Sequence, residues 1–252
     1  MSIKTFAAGL MSTLITVAAL ADNHGQADGD GLATINLCQI NEGHNFADVR
    51  ELQARWIKRM NKKGISLFNE LLTPVMLRSG PNESSIDFID LSISSYADGG
   101  RMWADWYETE EGQDMAAEWK ELASCGARAA HLVMKYADQK ALDNDNERVV
   151  TFTHCEIHEG VQADDMRMVH QQVLDRRSDS ATNIAWGLLL PRAGGDDARN
   201  VFRHANVYPD LAAYTQYLSS HSERAPFLRN YRNRYASCDL PTVWMSEVMS
   251  RQ

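Results

Sequence analysis

Cys38-Gln39-Ile40-Asn41-Glu42-Gly43 and Cys155-Glu156-Ile157-His158-Glu159-Gly160 are two copies of one pattern, C-x-I-x-E-G. The surroundings repeat with the motif. Leu72-Thr73-Pro74 and Leu189-Leu190-Pro191 stand at the same offset, and the apolar positions Val49, Leu52, Trp56 and Ile57 fall on Met166, Val169, Val173 and Leu174. Each motif cysteine has one later companion: Cys125 lies 87 residues after Cys38, and Cys238 lies 83 after Cys155. Further on the offset shortens, and Tyr96-Ala97-Asp98 aligns with Tyr208-Pro209-Asp210. An offset shared by a motif, a helix face and a strand end indicates internal duplication, and two copies suit a packed pair, since a solenoid needs about three or more.

Each copy reads as strand, helix, strand, strand, helix, strand. In the second copy, Val149–His158 is rich in β-branched and aromatic residues and reads as a strand. Asp164–Arg177 has helical spacing of its apolar residues. Ile184–Leu190 is a strand stopped by Pro191. Asn200–Val207 alternates, and Asp210 is the expected cap of a helix that Pro226 breaks. Thr242–Met249 is the last strand. The first copy follows with strands Ala33–Asn41, Ile65–Val75, Ile86–Ser94 and Ala130–Tyr136, and helices Asp48–Asn61 and Met102–Leu122. The expected organisation is thus a signal peptide at 1–21, a disordered 22–32, a module at 33–138, a linker at 139–147 and a module at 148–250. The fold class is α+β, with two tandem ferredoxin-like βαββαβ modules. In that topology strands 1 and 4 are antiparallel neighbours. The cysteines late in strand 1 and at the start of strand 4 therefore meet, which selects Cys38–Cys125 and Cys155–Cys238 from three possible pairings. No C-x-x-C supports a metal-thiolate site, and none is assigned.

The amino terminus carries Lys4, an uncharged run from Phe6 to Leu20 and a small-x-small Ala19-Leu20-Ala21, the pattern of a cleaved export signal. Its removal takes away one positive charge, so the net charge passes from −9 to −10. That excess argues against nucleic acid or an anionic membrane as partner. No later segment reaches spanning length. A periplasmic or secreted location follows, which suits disulfides.

Tandem modules with aromatic-rich second helices resemble the dimeric α/β-barrel superfamily in fused form, over nearly all of residues 33–249. The resemblance implies two sheets packed face to face as an intramolecular α/β barrel, and a monomer that is a pseudo-dimer. The C-x-I-x-E-G and Tyr-x-Asp elements also resemble an uncharacterised group of secreted bacterial proteins. The superfamily holds cofactor-free monooxygenases, haem-degrading and haem-dependent enzymes, and small-molecule binders, and a fold alone selects none of them.

The residues add some direction. Alternate side chains of a strand share a face, roughly 6.5–7 Å apart. His154, Glu156 and His158 therefore lie on one face, where the first copy has Leu37, Gln39 and Asn41. Strand 3 offers His204 and Asn206. The expectation is a ligand held between the two sheets by His154, Glu156, His158, His204 and Asn206, with Cys155 and Ile157 turned to the helices. Catalytic residues and a cofactor stay unassigned, with haem on His154, His158 or His204 as one variant. Glu42 and Glu159 are expected to cap the first helix of each copy or accept a backbone hydrogen bond, and Gly43 and Gly160 to serve turns. Most helix-2 aromatics are expected in the core, and His170 on a solvated helix face. No phosphate loop, G-x-G-x-x-G, G-x-S-x-G or H-E-x-x-H occurs. The function read from the sequence is an exported small-molecule-binding protein; the alternative is a monooxygenase or isomerase-like enzyme, cofactor-free or haem-dependent.

Overall fold

The computed structural model describes residues 30–77, 85–144, 146–177, 181–195 and 200–251. The expected signal sequence and most of 22–32 lie outside them. In chain order the elements are β1 (Gly31–Ile40), α1 (Phe46–Lys62), β2 (Leu67–Met76), β3 (Phe88–Ser94), α2 (Tyr96–Glu108), α3 (Glu110–Leu122), β4 (Ala123–Ala137), α4 (Gln139–Asn144), β5 (Glu147–Ile157), α5 (Ala163–Asp175), β6 (Ala185–Ala193), β7 (Val201–Tyr208), α6 (Leu211–Ser219), α7 (His221–Arg234), β8 (Ala236–Cys238) and β9 (Thr242–Arg251). No helix among the described residues is long and apolar enough to cross a membrane.

All strand pairs are antiparallel, in the order β7-β6-β4-β1-β3-β2-β9-β5, and a further β7–β5 pairing closes an eight-stranded barrel. The short β8 continues alongside β5 beyond the end of β9. The barrel interior is filled by alternate side chains, including Ala33, Ile35, Leu72, Ile89, Leu91, Val150, Leu189 and Trp244. An eight-stranded barrel is just wide enough for its side chains to fill. One buried acid breaks the apolar pattern. Glu70 shares the face of Leu72, accepts a hydrogen bond from Ser246 of β9, and is held above the ordinary carboxyl range by burial, which Ser246 and Arg148 oppose.

Intervening side chains meet the helices. Cys38, Leu71 and Phe88 pack with Val49 and Leu52 of α1 and Trp119 and Leu122 of α3. Cys155, Trp186, Leu188 and Phe202 pack with Met166 and Val169 of α5 and Tyr231 of α7. α1 begins at a reciprocal cap: the Asn45 side chain accepts from Ala47 N, and Asp48 accepts from Asn45 N, each at 2.8 Å. It then buries Val49, Leu52, Trp56, Ile57 and Met60, spaced three and four apart on one face.

Cys38 pairs across the β1–β4 ladder with Cys125, and Cys155 across β5–β8 with Cys238; both pairs are disulfide-bonded, as expected. Gly43 and Gly160 have φ of 88° and 83°, the left-handed region that the turn after each motif requires.

Several expectations need correction. β1 starts at Gly31, with Leu32 already buried, so strand structure reaches into the stretch expected to be disordered. The first copy's second helix is two helices, with Thr109 accepting from Gly112 N to cap the second. β4 starts at Ala123 and not Ala130, because its ladder with β1 and the bridge at Cys125 hold a stretch of weak strand formers. Pro191 does not stop β6. It sits opposite Ala130 beside a register shift, where a missing N–H is tolerated. The break between α6 and α7 falls at Ser220, and Pro226 lies inside α7. The expected linker contains α4. Glu42 does not cap α1; Asn45 does. Trp103 and Tyr107 are exposed. Tyr96 begins a helix and is exposed, whereas Tyr208 ends a strand and is buried, so the Tyr-x-Asp stretches are not counterparts.

Replacing both Cys155 and Cys238 by Ala should lower the urea unfolding free energy by about 2–5 kcal/mol. A non-reduced digest should yield only the Cys38–Cys125 and Cys155–Cys238 peptide pairs; a cross-copy pair would contradict the ladder register.

Candidate functional site

The register identifies counterparts in the two halves. Phe88 lies opposite Cys38, and Phe202 opposite Cys155. Two residues on, Asp90 of β3 therefore corresponds to His204 of β7. Leu71 faces Asp90 and Leu188 faces His204, so Asn69 corresponds to Trp186. On the first helix of each half, Gln53 follows Leu52 as His170 follows Val169. All six lie between sheet and helices, where packing alone asks for apolar groups. Both halves bury a hydrogen-bonded polar nest at the same three positions.

In the first half the nest is closed. Asp90 accepts from Asn36 Nδ2 at 2.9 Å, Asn69 Nδ2 at 2.7 Å and Gln53 Nε2 at 3.1 Å. Burial raises the Asp90 carboxyl above its usual range, opposed by the Asn36 and Asn69 hydrogen bonds. Gln53 and Asn69 are at most 2% exposed, and Asp90 is 6% exposed.

In the second half the nest is built of rings. Trp186 Nε1 lies 3.0 Å from His204 Nδ1. An indole N–H can only donate, so Nδ1 accepts and the neutral His204 carries its proton on Nε2. That proton points to the Tyr231 hydroxyl at 3.4 Å, and Tyr231 in turn lies 3.0 Å from His170 Nε2. Trp186 thus donates to His204 and His204 to Tyr231, with His170 Nε2 next to the Tyr231 hydroxyl in the same chain of bonds. Burial pushes the His204 pKa down to about 4. His170 is lowered to about 2, by burial first and then by His204 and Lys135. Both rings are neutral at pH 7. His204 and Asn206 keep part of their surface in solvent, unlike Asp90 and Ser92 on the matching strand.

The expected five residues do not form one group. Val150 and Phe152 of β5 belong to the barrel interior, while Cys155 and Ile157 belong to the helix side, as expected. By alternation His154 and Glu156 share the barrel-side face at its open end, and His158 follows them. His204 shares the face of Phe202, under α5 and α7, so His204 and Asn206 lie on the opposite side of the sheet. Asn206 there accepts from Asn183 at 3.4 Å. The space between the sheets is occupied by side chains at its middle. His170 is not solvated but 4% exposed. His170, Trp186 and Tyr231 were not singled out from sequence, although the offset that pairs Leu52 with Val169 also pairs Gln53 with His170.

Cys155, His204 and Cys238 place one ligand-type atom each within 4.8 Å of one another. Both sulfurs are tied in the disulfide, so the thiolates a metal needs do not exist there. Haem iron does not fit His204 either: metal on Nε2 would move the proton to Nδ1, against the Trp186 N–H.

The buried imidazoles set a pH dependence. Their folded pKa values lie below the ordinary 6.5, so the unfolded chain takes up protons first. Their contribution is complete above about pH 6.5 and is lost as pH falls, to about 4 for His204 and to about 2 for His170, at roughly 1 kcal/mol per pH unit for each ring. His170→Gln, which installs the first half's residue, should flatten the fall in urea stability between pH 6.5 and 4.5. An unchanged slope would contradict the neutral pair.

No protein-family model matches the chain, and no curated protein matches it by sequence. Solved structures do match in shape. A provisionally assigned monooxygenase from Lactobacillus acidophilus superposes with a TM-score of 0.55 at 10% identity, covering 87% of this chain and 94% of its own. One of the same description from Fusobacterium nucleatum gives 0.54 at 10%, covering 88% and 94%. A dye-decolorizing peroxidase from Bacteroides thetaiotaomicron gives 0.51 at 6%, covering 88% and 94%. At these identities the likeness is one of fold: a closed antiparallel eight-stranded barrel with helices outside, similar to the dimeric α+β barrel proteins.

Proposed function

We propose that the chain is an exported small-molecule-binding protein whose site is the ring nest of the second half, between sheet and helices, around His204 and Asn206. It is built as two ferredoxin-like modules, a monomer that acts as a pseudo-dimer. Strand order supports this, since β4-β1-β3-β2 and β9-β5-β7-β6 each repeat the order of that module. The observation that carries the binding site is the loose joint at His204. The 3.4 Å contact to Tyr231 exceeds the usual 2.7–3.2 Å for such a donor, whereas its neighbours in the chain of bonds are both 3.0 Å. His204 Nε2–H is therefore the donor least committed to the protein, on a residue that solvent partly reaches.

The nest itself is built of two neutral imidazoles, a phenol and an indole, with the Lys135 ammonium close enough to act on His170. It suits an uncharged, largely apolar molecule bearing a carbonyl or hydroxyl oxygen. That oxygen would accept from His204 Nε2, the partly exposed member of the nest. A second reading is an oxygenase-like or isomerase-like enzyme on the same site. Supporting it are the descriptions of the structural neighbours and a chain of neutral acid–base groups that could relay a proton.

The test uses prodan, an uncharged naphthyl ketone whose emission shifts to the blue in apolar surroundings. Wild type should bind one molecule with a blue shift. His204→Ala should weaken binding about tenfold, the value of one hydrogen bond of ~1.4 kcal/mol, and His154→Ala should not. Absence of a blue shift, or equal affinity of the His204 variant, would overturn the assignment.

A further inference from the structure

The barrel-side face of the second half carries a separate pair. Ser237 Oγ and His158 Nε2 are 2.9 Å apart. Ser237 of β8 lies opposite Glu156, so it takes the face of Glu156, across the sheet from the ring nest. Both ends of the pair are fixed by backbone. Cys238, next to Ser237, is bridged to Cys155, and the His158 amide donates to the Tyr235 carbonyl at 2.9 Å.

The first half contains the same clamp with different chemistry. Ser124 precedes Cys125 as Ser237 precedes Cys238, and Asn41 follows Cys38 by the spacing that separates His158 from Cys155. Ser124 Oγ donates to Asn41 Oδ1 at 2.9 Å. Asn41 also donates to the Lys120 and Glu121 carbonyls, tying the strand to the end of α3. A serine gripping the residue after strand 1 is therefore a structural device of both halves. Only in the second is the acceptor a base. An amide oxygen accepts a hydrogen bond from the hydroxyl but does not take its proton at neutral pH, whereas an imidazole nitrogen does.

We propose that Ser237 and His158 form a nucleophile–base pair that transfers acyl groups from small carboxylic esters to water. The hydroxyl donates to Nε2, so neutral His158 carries its proton on Nδ1. Ser237 Oγ attacks the ester carbonyl carbon as its proton passes to His158 Nε2. The carbon–oxygen bond to the alcohol then breaks, and His158 returns the proton to the leaving alkoxide. Water, deprotonated by His158, attacks the acyl-serine, and the protonated imidazole restores the serine hydroxyl as the carboxylic acid leaves and loses its proton to solvent. Both side chains reach solvent, so a small ester can approach them.

The duplication supplies its own control. His158→Asn rebuilds the clamp of the first half and should fold as wild type does, checked by its urea midpoint. With p-nitrophenyl acetate, wild type should release p-nitrophenolate and carry a transient acetyl group on the Ser237 peptide. His158→Asn should slow acylation 10²–10⁴-fold, the usual share of a general base. Ser237→Ala should abolish it, and Ser124→Ala should leave it unchanged. Acetyl on other residues alone, or equal acylation of folded His158→Asn protein, would overturn the pair. The reading does not depend on the ring nest, so failure of prodan to bind leaves it standing.

Discussion

A four-stranded sheet ends in two edges whose N–H and C=O groups need partners, and this chain gives the edges of each half to the other. β2 pairs with β9, and β4 with β6. Closure pairs the outer strands of each half with those of the other, and it fixes which face of each strand is inside. It also ties the halves chemically at one seam, where Ser246 of β9 bonds the buried Glu70 of β2. Neither half could keep its interior dry alone: Leu72 and Ile89 of the first half are covered by Val150, Leu189 and Trp244 of the second.

Apart from Glu70 and Ser246 inside the barrel, polar side chains of the second half collect in two places. One is the open end of the barrel, where His154, Glu156, His158 and Ser237 gather. The other is the layer between sheet and helices, where each half keeps a polar nest. The first nest, Asp90 with three amides, is sealed from solvent and holds Asp90 by three donors, with Asn69 Oδ1 left without a hydrogen-bond partner. The second replaces the carboxylate with His204 and the amides of Asn69 and Gln53 with Trp186 and His170. The same geometry then holds neutral rings that can exchange protons, with one bond in the chain left long.

The sequence made the duplication legible because cysteine is rare and its register is rigid. Cys38 and Cys155 fixed the copies, their partners and the orientation of Ile157. The site was less legible. Placing His204 beside His154 required knowing which face of β7 meets which face of β5, and alternation within a strand is silent about its neighbour. The ladder answers it by setting Phe202 opposite Cys155, which puts His204 on the disulfide's side. His170 looked solvated because the residues of α5 do not reveal that α7 crosses above it; Tyr231, far along the chain, supplies the cover. The Tyr-x-Asp alignment misled because a three-residue match carries no register. Residues 123–129 were missed because Gly126 and several alanines favour no strand until β1 and the bridge impose one.

The most direct test of the site is the ring spectrum of the histidines, followed by ¹H–¹³C NMR as prodan is added. The Cε1–H signals of His204 and His170 should move together and saturate, while those of His154 and His158 stay in place. Movement of His154 and His158 with His204 and His170 unchanged would place the ligand at the barrel end and contradict the account.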